Sequence, residues 1–188
     1  MNRKAFGAVV TTAATLALLA APAGAATRDT SDVVTFSNSA TVGSSTLTRE
    51  ANGVAMSLRT TDLTSGDAVT VWWVVFNHPE NCQTKSPFRC GPSDLSRPDV
   101  QASVLYAAGH VIGGDGSAGY GAHLTAGDAS GAILGSGLDP AQVNAADIHL
   151  VVRDHGSANP SLMPEQIHSF DVCNTTCVNV QHSTHEAS

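Results

Sequence analysis

Val69-Thr70-Val71-Trp72-Trp73-Val74-Val75-Phe76-Asn77-His78 constrains the fold of this chain more than any other stretch. It is apolar on both alternating sets, Val71, Trp73 and Val75 on one, Trp72, Val74 and Phe76 on the other. A β-strand sends successive side chains to opposite faces, and a half-exposed strand is polar on one of them. A strand of this composition is expected near the middle of a fold, covered on both sides. It carries both tryptophans and one of the five phenylalanines. Pro79 ends it, because proline lacks a ladder donor and biases His78 away from helix.

The chain opens with the basic residues Arg3 and Lys4, then an uncharged run from Ala5 to Ala21, then Ala23-Gly24-Ala25. A basic start, an apolar run and a small-x-small site, in that order, read as a secretory signal peptide over residues 1–25. A membrane anchor needs about 20 strongly apolar residues. This run is diluted by Ala and Thr and ends in Pro22 and Gly24, and no later stretch is suitable. Secretion is the expected localisation, with residues 26–188 as a single domain. Those 163 residues are ample for a core. Two of the nine basic residues fall in the leader, so the mature charge is −9, seven basic against 16 acidic residues. Such a chain does not attract a phosphate backbone, and nucleic acid is excluded as a partner.

Cys82, Cys90, Cys173 and Cys177 all follow the leader. An even number in an exported chain implies disulfides, with three pairings open to four cysteines. The local pairs Cys82–Cys90 and Cys173–Cys177 are favoured, one stapling the loop after the Trp strand and the other the turn Cys-Asn-Thr-Thr-Cys.

Residues 26–32 are polar and read as loose, and Val33 to Phe36 as a short first strand. Ala51-Asn52-Gly53 between alternating runs is a hairpin signal. In its second arm Val54, Met56 and Leu58 share the buried face. Residues 79–98 lack apolar periodicity and form a long loop. Val100–Ile112 and Gly119–Ala126 read as strands joined at Asp115-Gly116, a register that pairs Val111 with Tyr120 and Leu105 with Ala126. Asp139-Pro140 starts a short helix. Asp147–Arg153 is a strand with Ile148, Leu150 and Val152 inward and His149, Val151 and Arg153 outward, broken by Asp154-His155-Gly156. Residues 163–170 fit either a helix or a strand, and the tail after Val180 reads as frayed. The expected fold is all-β, an antiparallel β-sandwich or flattened barrel with one short helix.

Gly114-Asp115-Gly116-Ser117-Ala118-Gly119 matches a dinucleotide fingerprint in letters only, since a strand follows it where a helix N-terminus is required. Gly113-Gly114-Asp115-Gly116 echoes one copy of a calcium-binding repeat that needs several. There is no nucleophile elbow and no H-E-x-x-H pattern. Cys173-x3-Cys177 with His182-x2-His185 has a gap far too short for a zinc finger. The eight histidines are the remaining chemistry. The Asp-Gly register makes His110 and His123 diagonal neighbours beside Tyr106 and Thr125, a pair able to share zinc or copper with His149 or His155. The competing reading is a polar face with unrelated histidines.

Trp72-Trp73-Val74-Val75-Phe76-Asn77-x-Pro79-x-x-Cys82, Cys90-Gly91, His149-Leu150-Val151-Val152-Arg153-Asp154-His155-Gly156, Glu165-Gln166 and Phe170 resemble a group of exported bacterial proteins of uncharacterised function. Ala146-Asp147-Ile148-His149 also resembles the His-containing strand of CHRD-type extracellular domains. The resemblance implies export and carries over no activity, cofactor or catalytic residue. Two functional expectations follow. The first is a non-catalytic extracellular binding or surface module for a ligand the sequence does not name. The alternative is a histidine-based metal-binding protein or metal-dependent enzyme. Oligomeric state is left open.

Overall fold

The computed structural model describes residues 26–187, so the leader expected at residues 1–25 lies outside the described residues. Nine strands are present among them: β1 (Thr27–Thr35), β2 (Thr41–Glu50), β3 (Gly53–Thr60), β4 (Asp67–Phe76), β5 (Ala102–Val111), β6 (Ala118–Thr125), β7 (Ala132–Leu134), β8 (Asp147–Ser157) and β9 (Val178–His185). They form one antiparallel sheet in the order β6-β3-β2-β1-β9-β8-β4-β5-β7, curled into a half-barrel. No helix among the described residues is long and apolar enough to cross a membrane.

β4 lies between β8 and β5 and is covered on both faces. Val71, Trp73 and Val75 enter the core inside the curl with Leu47, Leu58, Leu105, Ile148 and Leu150. Phe76 joins a second cluster on the outer face with Cys82, Cys90, Val100 and Ala102. Trp72 and Trp73 point to opposite faces, yet each is only 1% exposed. The disulfides Cys82–Cys90 and Cys173–Cys177 are both present.

The glycine-rich connection between β5 and β6 is not a paired hairpin. β5 pairs with β4 and β7, and β6 pairs with β3. The two strands meet only through side chains, as where His110 stacks on Tyr120 with ring centroids 4.6 Å apart. A bulge between Val71 and Trp72 leaves Ala107 without a β4 partner, which inverts the faces of everything after it. Ile112 is therefore buried and Val111 is 38% exposed, the reverse of a continuous alternation.

Three further segments depart from expectation. Residues 27–32 are strand, paired with Arg49 to Ser44 of β2. β8 runs through Asp154-His155-Gly156 to Ser157. The expected helix at Asp139 is a series of turns, with Asp139 Oδ1 accepting from the Ala141 N–H and the Asp139 carbonyl from Gln142. Residues 163–170 hold a single 3-10 turn, Glu165–Ile167.

The largest departure is the tail. Residues 178–185 form β9, seated between β1 and β8. Its inward side chains Gln181, Ser183 and His185 are buried because distant partners satisfy them. Thr60 Oγ1 donates to Gln181 Oε1 at 2.6 Å, and Gln181 Nε2 donates to the Thr61 carbonyl at 2.8 Å.

Candidate functional site

The outer face of the central strands presents Trp72 and Val74 of β4, Val104 of β5, His149 and Val151 of β8, and His182 of β9. Two disulfide-bearing loops flank it. Residues 79–98 contribute Phe88, Cys90, Pro92 and Leu95 as one wall. From residues 158–177 comes Phe170, edge-on to Trp72 at 5.0 Å, with the Arg153 guanidinium 3.9 Å above its ring. Phe36 and Asn179 close the far edge of a cavity of about 220 Å³. Among the described residues no Asp, Glu, Lys or Arg lines it. It is an apolar slot.

Both walls are anchored by specific chemistry. In the first loop the buried Asp94 carboxylate accepts from the N–H groups of Gln83, Thr84 and Gly91. Burial pushes its carboxyl up, but the hydrogen bonds from Thr84, Gln83 and Gly91 prevail and hold it below the usual range. Arg89 donates through Nε and Nη2 to Asp147 at the start of β8, and its N–H reaches Glu186 Oε1 at 2.9 Å. Under the second loop, Trp72 Nε1 donates to Thr70 Oγ1 at 2.7 Å, and Thr70 lies 2.7 Å from His155 Nε2. Since His155 Nδ1 faces the Val172 carbonyl at 2.9 Å, Nδ1 carries the proton and Nε2 accepts from the threonine. Gly109 allows the Ile167 carbonyl to lie against β5, in the space a Cβ would fill.

His149 lies opposite Thr184 and His182 opposite Val151, so the two histidines are diagonal neighbours on one face. Phe88 packs edge-on to both, with centroids 5.9 Å from His149 and 5.0 Å from His182. Burial depresses both imidazoles, His149 to about 4. Both are therefore neutral at pH 7. His149 Nε2 is sealed from solvent with no hydrogen-bond partner among the described residues. An enclosed polar atom left unpaired costs about 1–3 kcal/mol, which marks it as unusual.

A second constellation lies inside the curl. Ser45 Oγ is 2.8 Å from His185 Nε2, and His185 Nδ1 is 2.7 Å from Asp29 Oδ2. The order Ser–His–Asp is that of a nucleophilic triad, but the exposure is inverted. Ser45 is 1% exposed and shares its hydroxyl with Ser183 at 2.9 Å, while the Asp29 side chain is 48% exposed. No substrate carbonyl reaches an oxygen so enclosed. The chain of bonds satisfies a polar stripe in the core. Replacing Ser45 by Ala is expected to cost about 1–2 kcal/mol by orphaning His185 Nε2. A serine-directed phosphonate should leave Ser45 unmodified by mass spectrometry; labelling in the folded protein would contradict this.

No family model and no curated protein matches the chain.

The four histidines expected to share a metal are not brought together. His110 stacks on Tyr120, and His123 is exposed on β6 with Nε2 4.0 Å from Glu50 Oε2. The expected pair fails because β6 pairs with β3 and the bulge turns His110 to the other face. His149 lies under the first loop and His155 under the second. Among the described residues, one group of three or more His, Cys, Asp or Glu lies within ligating reach, namely His155, Cys173 and Cys177. Both of its sulfurs are joined in a disulfide.

His182, His185 and Asp94 were not legible as site residues. The signal for β9 was confined to Val178, Val180 and Thr184 in an otherwise polar run. His149 was legible, since it alternates against Ile148, Leu150 and Val152.

Proposed function

We propose that this chain is a secreted, non-catalytic binding module, and that the slot between its two disulfide-pinned loops receives the ligand. The observation that carries this reading is an uncharged apolar cavity lined by aromatic rings and containing an unpartnered imidazole. Binding sites for small molecules are concave and mostly apolar, with a few polar groups that fix orientation. The Ser45 and His155 networks are closed upon themselves, whereas the slot is not. Export is supported by the leader-like residues 1–25, by the two disulfides, and by the resemblance to exported bacterial proteins.

The test is toluene binding to residues 26–188. Trp72 lies in the slot, so toluene should perturb tryptophan fluorescence and shift the amide resonances of Val74, Val104 and Val151. At ten times its Kd it should stabilise the fold by about 1.4 kcal/mol. Val151→Phe, which fills the slot, should abolish all three effects. A folded wild-type protein whose resonances and melting temperature ignore saturating toluene would end the reading.

A further inference from the structure

Resting on the slot as a binding site, we infer its ligand class: a small, uncharged hydroxyaromatic molecule, its ring among Trp72, Phe76 and Phe170 and its hydroxyl on the His149 imidazole.

Size sets the first limit. An apolar cavity of about 150 Å³ holds a benzene ring. The slot, at about 220 Å³, holds one ring with one or two small substituents. Charge sets the second. A carboxylate or phosphate ligand needs a cationic partner and an amine needs an anionic one, and among the described residues no side chain of either kind lines the slot. A sugar would bury more hydroxyls than the slot can satisfy.

The rings argue for aromatic rather than aliphatic bulk. The existing contacts are edge-to-face, Phe76 on His149 at 63° and Phe88 on His182 at 81°. Such pairs gain beyond their area burial. Phe88 itself shows that an aromatic ring fits against both imidazoles, and it is carried by a loop residue that is only half-buried. Its displacement by the ligand opens the way to His149 Nε2.

The unpartnered nitrogen selects the polar group. In a neutral imidazole one nitrogen donates and the other accepts. A hydroxyl does both, so it completes Nε2 in either tautomer. A ketone or an ether completes only one.

The deciding experiment compares p-cresol, toluene and 4-methylcyclohexanol by calorimetry on wild-type protein, with amide shifts locating each in the slot. p-Cresol should bind about tenfold tighter than either of the others, one hydrogen bond over toluene and ring contacts over the cyclohexanol. In His149→Phe the ratio of cresol to toluene affinity should fall to about one, whatever the affinity for toluene itself. If toluene binds and cresol is no tighter in wild type, the hydroxyaromatic class is overturned while the slot stands. Should cyclohexanol equal cresol, the aromatic requirement is overturned. A preference that persists in His149→Phe removes His149 as the recognising group. If none of the three binds, the slot reading falls with it. The wild-type series decides the class even if the variant does not fold.

Discussion

Lowering the pH from 7.5 to 4.5 is expected to destabilise this protein by about 3 kcal/mol or more, mostly through buried histidines. Burial pushes His149 down to about 4, and it also lowers His155, His182 and His185. A histidine depressed in the folded state contributes its full stability above its ordinary value of 6.5. That stability is lost as the pH falls toward the folded value, because only the unfolded chain takes up the proton. For His149 the interval from 6.5 to about 4 corresponds to about 3 kcal/mol. The other three act with the same sign. Asp154 opposes them, since burial raises its carboxyl, but it is one group against four. Denaturant midpoints at pH 7.5, 5.5 and 4.5 measure the effect, and His149→Phe should flatten the slope by removing its largest contributor. Equal midpoints at pH 7.5 and 4.5 would contradict the neutral, buried state of these imidazoles.

Arg89→Ala is expected to cost about 3 kcal/mol and to weaken the slot at the same time. The Asp147 side chain is fully buried and accepts from Arg89 Nε, Arg89 Nη2 and the Ala187 N–H. Removing the guanidinium leaves an enclosed carboxylate with one N–H, which is far more costly than losing an exposed pair. For a domain of this size the melting temperature should fall by roughly 6–12 °C. Arg89 stands between Phe88 and Cys90, so the wall they form loses its tie to β8. Toluene affinity should drop in parallel. Arg89→Ala combined with Asp147→Asn should recover part of the stability, because the double variant no longer encloses an unpaired carboxylate; the recovery is partial because the buried Arg49 loses Asp147 as a countercharge. A single-variant loss below about 1 kcal/mol would show the pair to be an ordinary surface bridge.

Much of the fold is written locally. The two-faced apolar pattern of residues 69–76 placed β4 in the interior, and alternation in β3 and β8 assigned their faces, His149 outward included. The short spacings Cys82–Cys90 and Cys173–Cys177 matched the bridges that form. The β2–β3 turn was legible too, although Glu50 pairs with Gly53, so Ala51 and Asn52 make the turn. These features depend on burial and turn chemistry, which act between near neighbours and leave a periodic trace.

Partner choice leaves no such trace. Nothing in Ala102–Val111 and Ala118–Thr125 records that each pairs elsewhere, or that one bulge at Ala107 reverses the faces beyond it. β9 reads as a polar tail because its inward glutamine, serine and histidine are stable in a core only beside Thr60, Ser45 and Asp29, more than 120 residues earlier in the chain. The diagonal pair His149 and His182, and the slot they line, exist only once β9 is inserted beside β8. Local pattern determined which apolar residues of β3, β4 and β8 are buried; the tertiary structure decided the burial of β9 and which buried residues meet, because hydrogen-bond partners for a buried polar strand come from strands the local sequence cannot see.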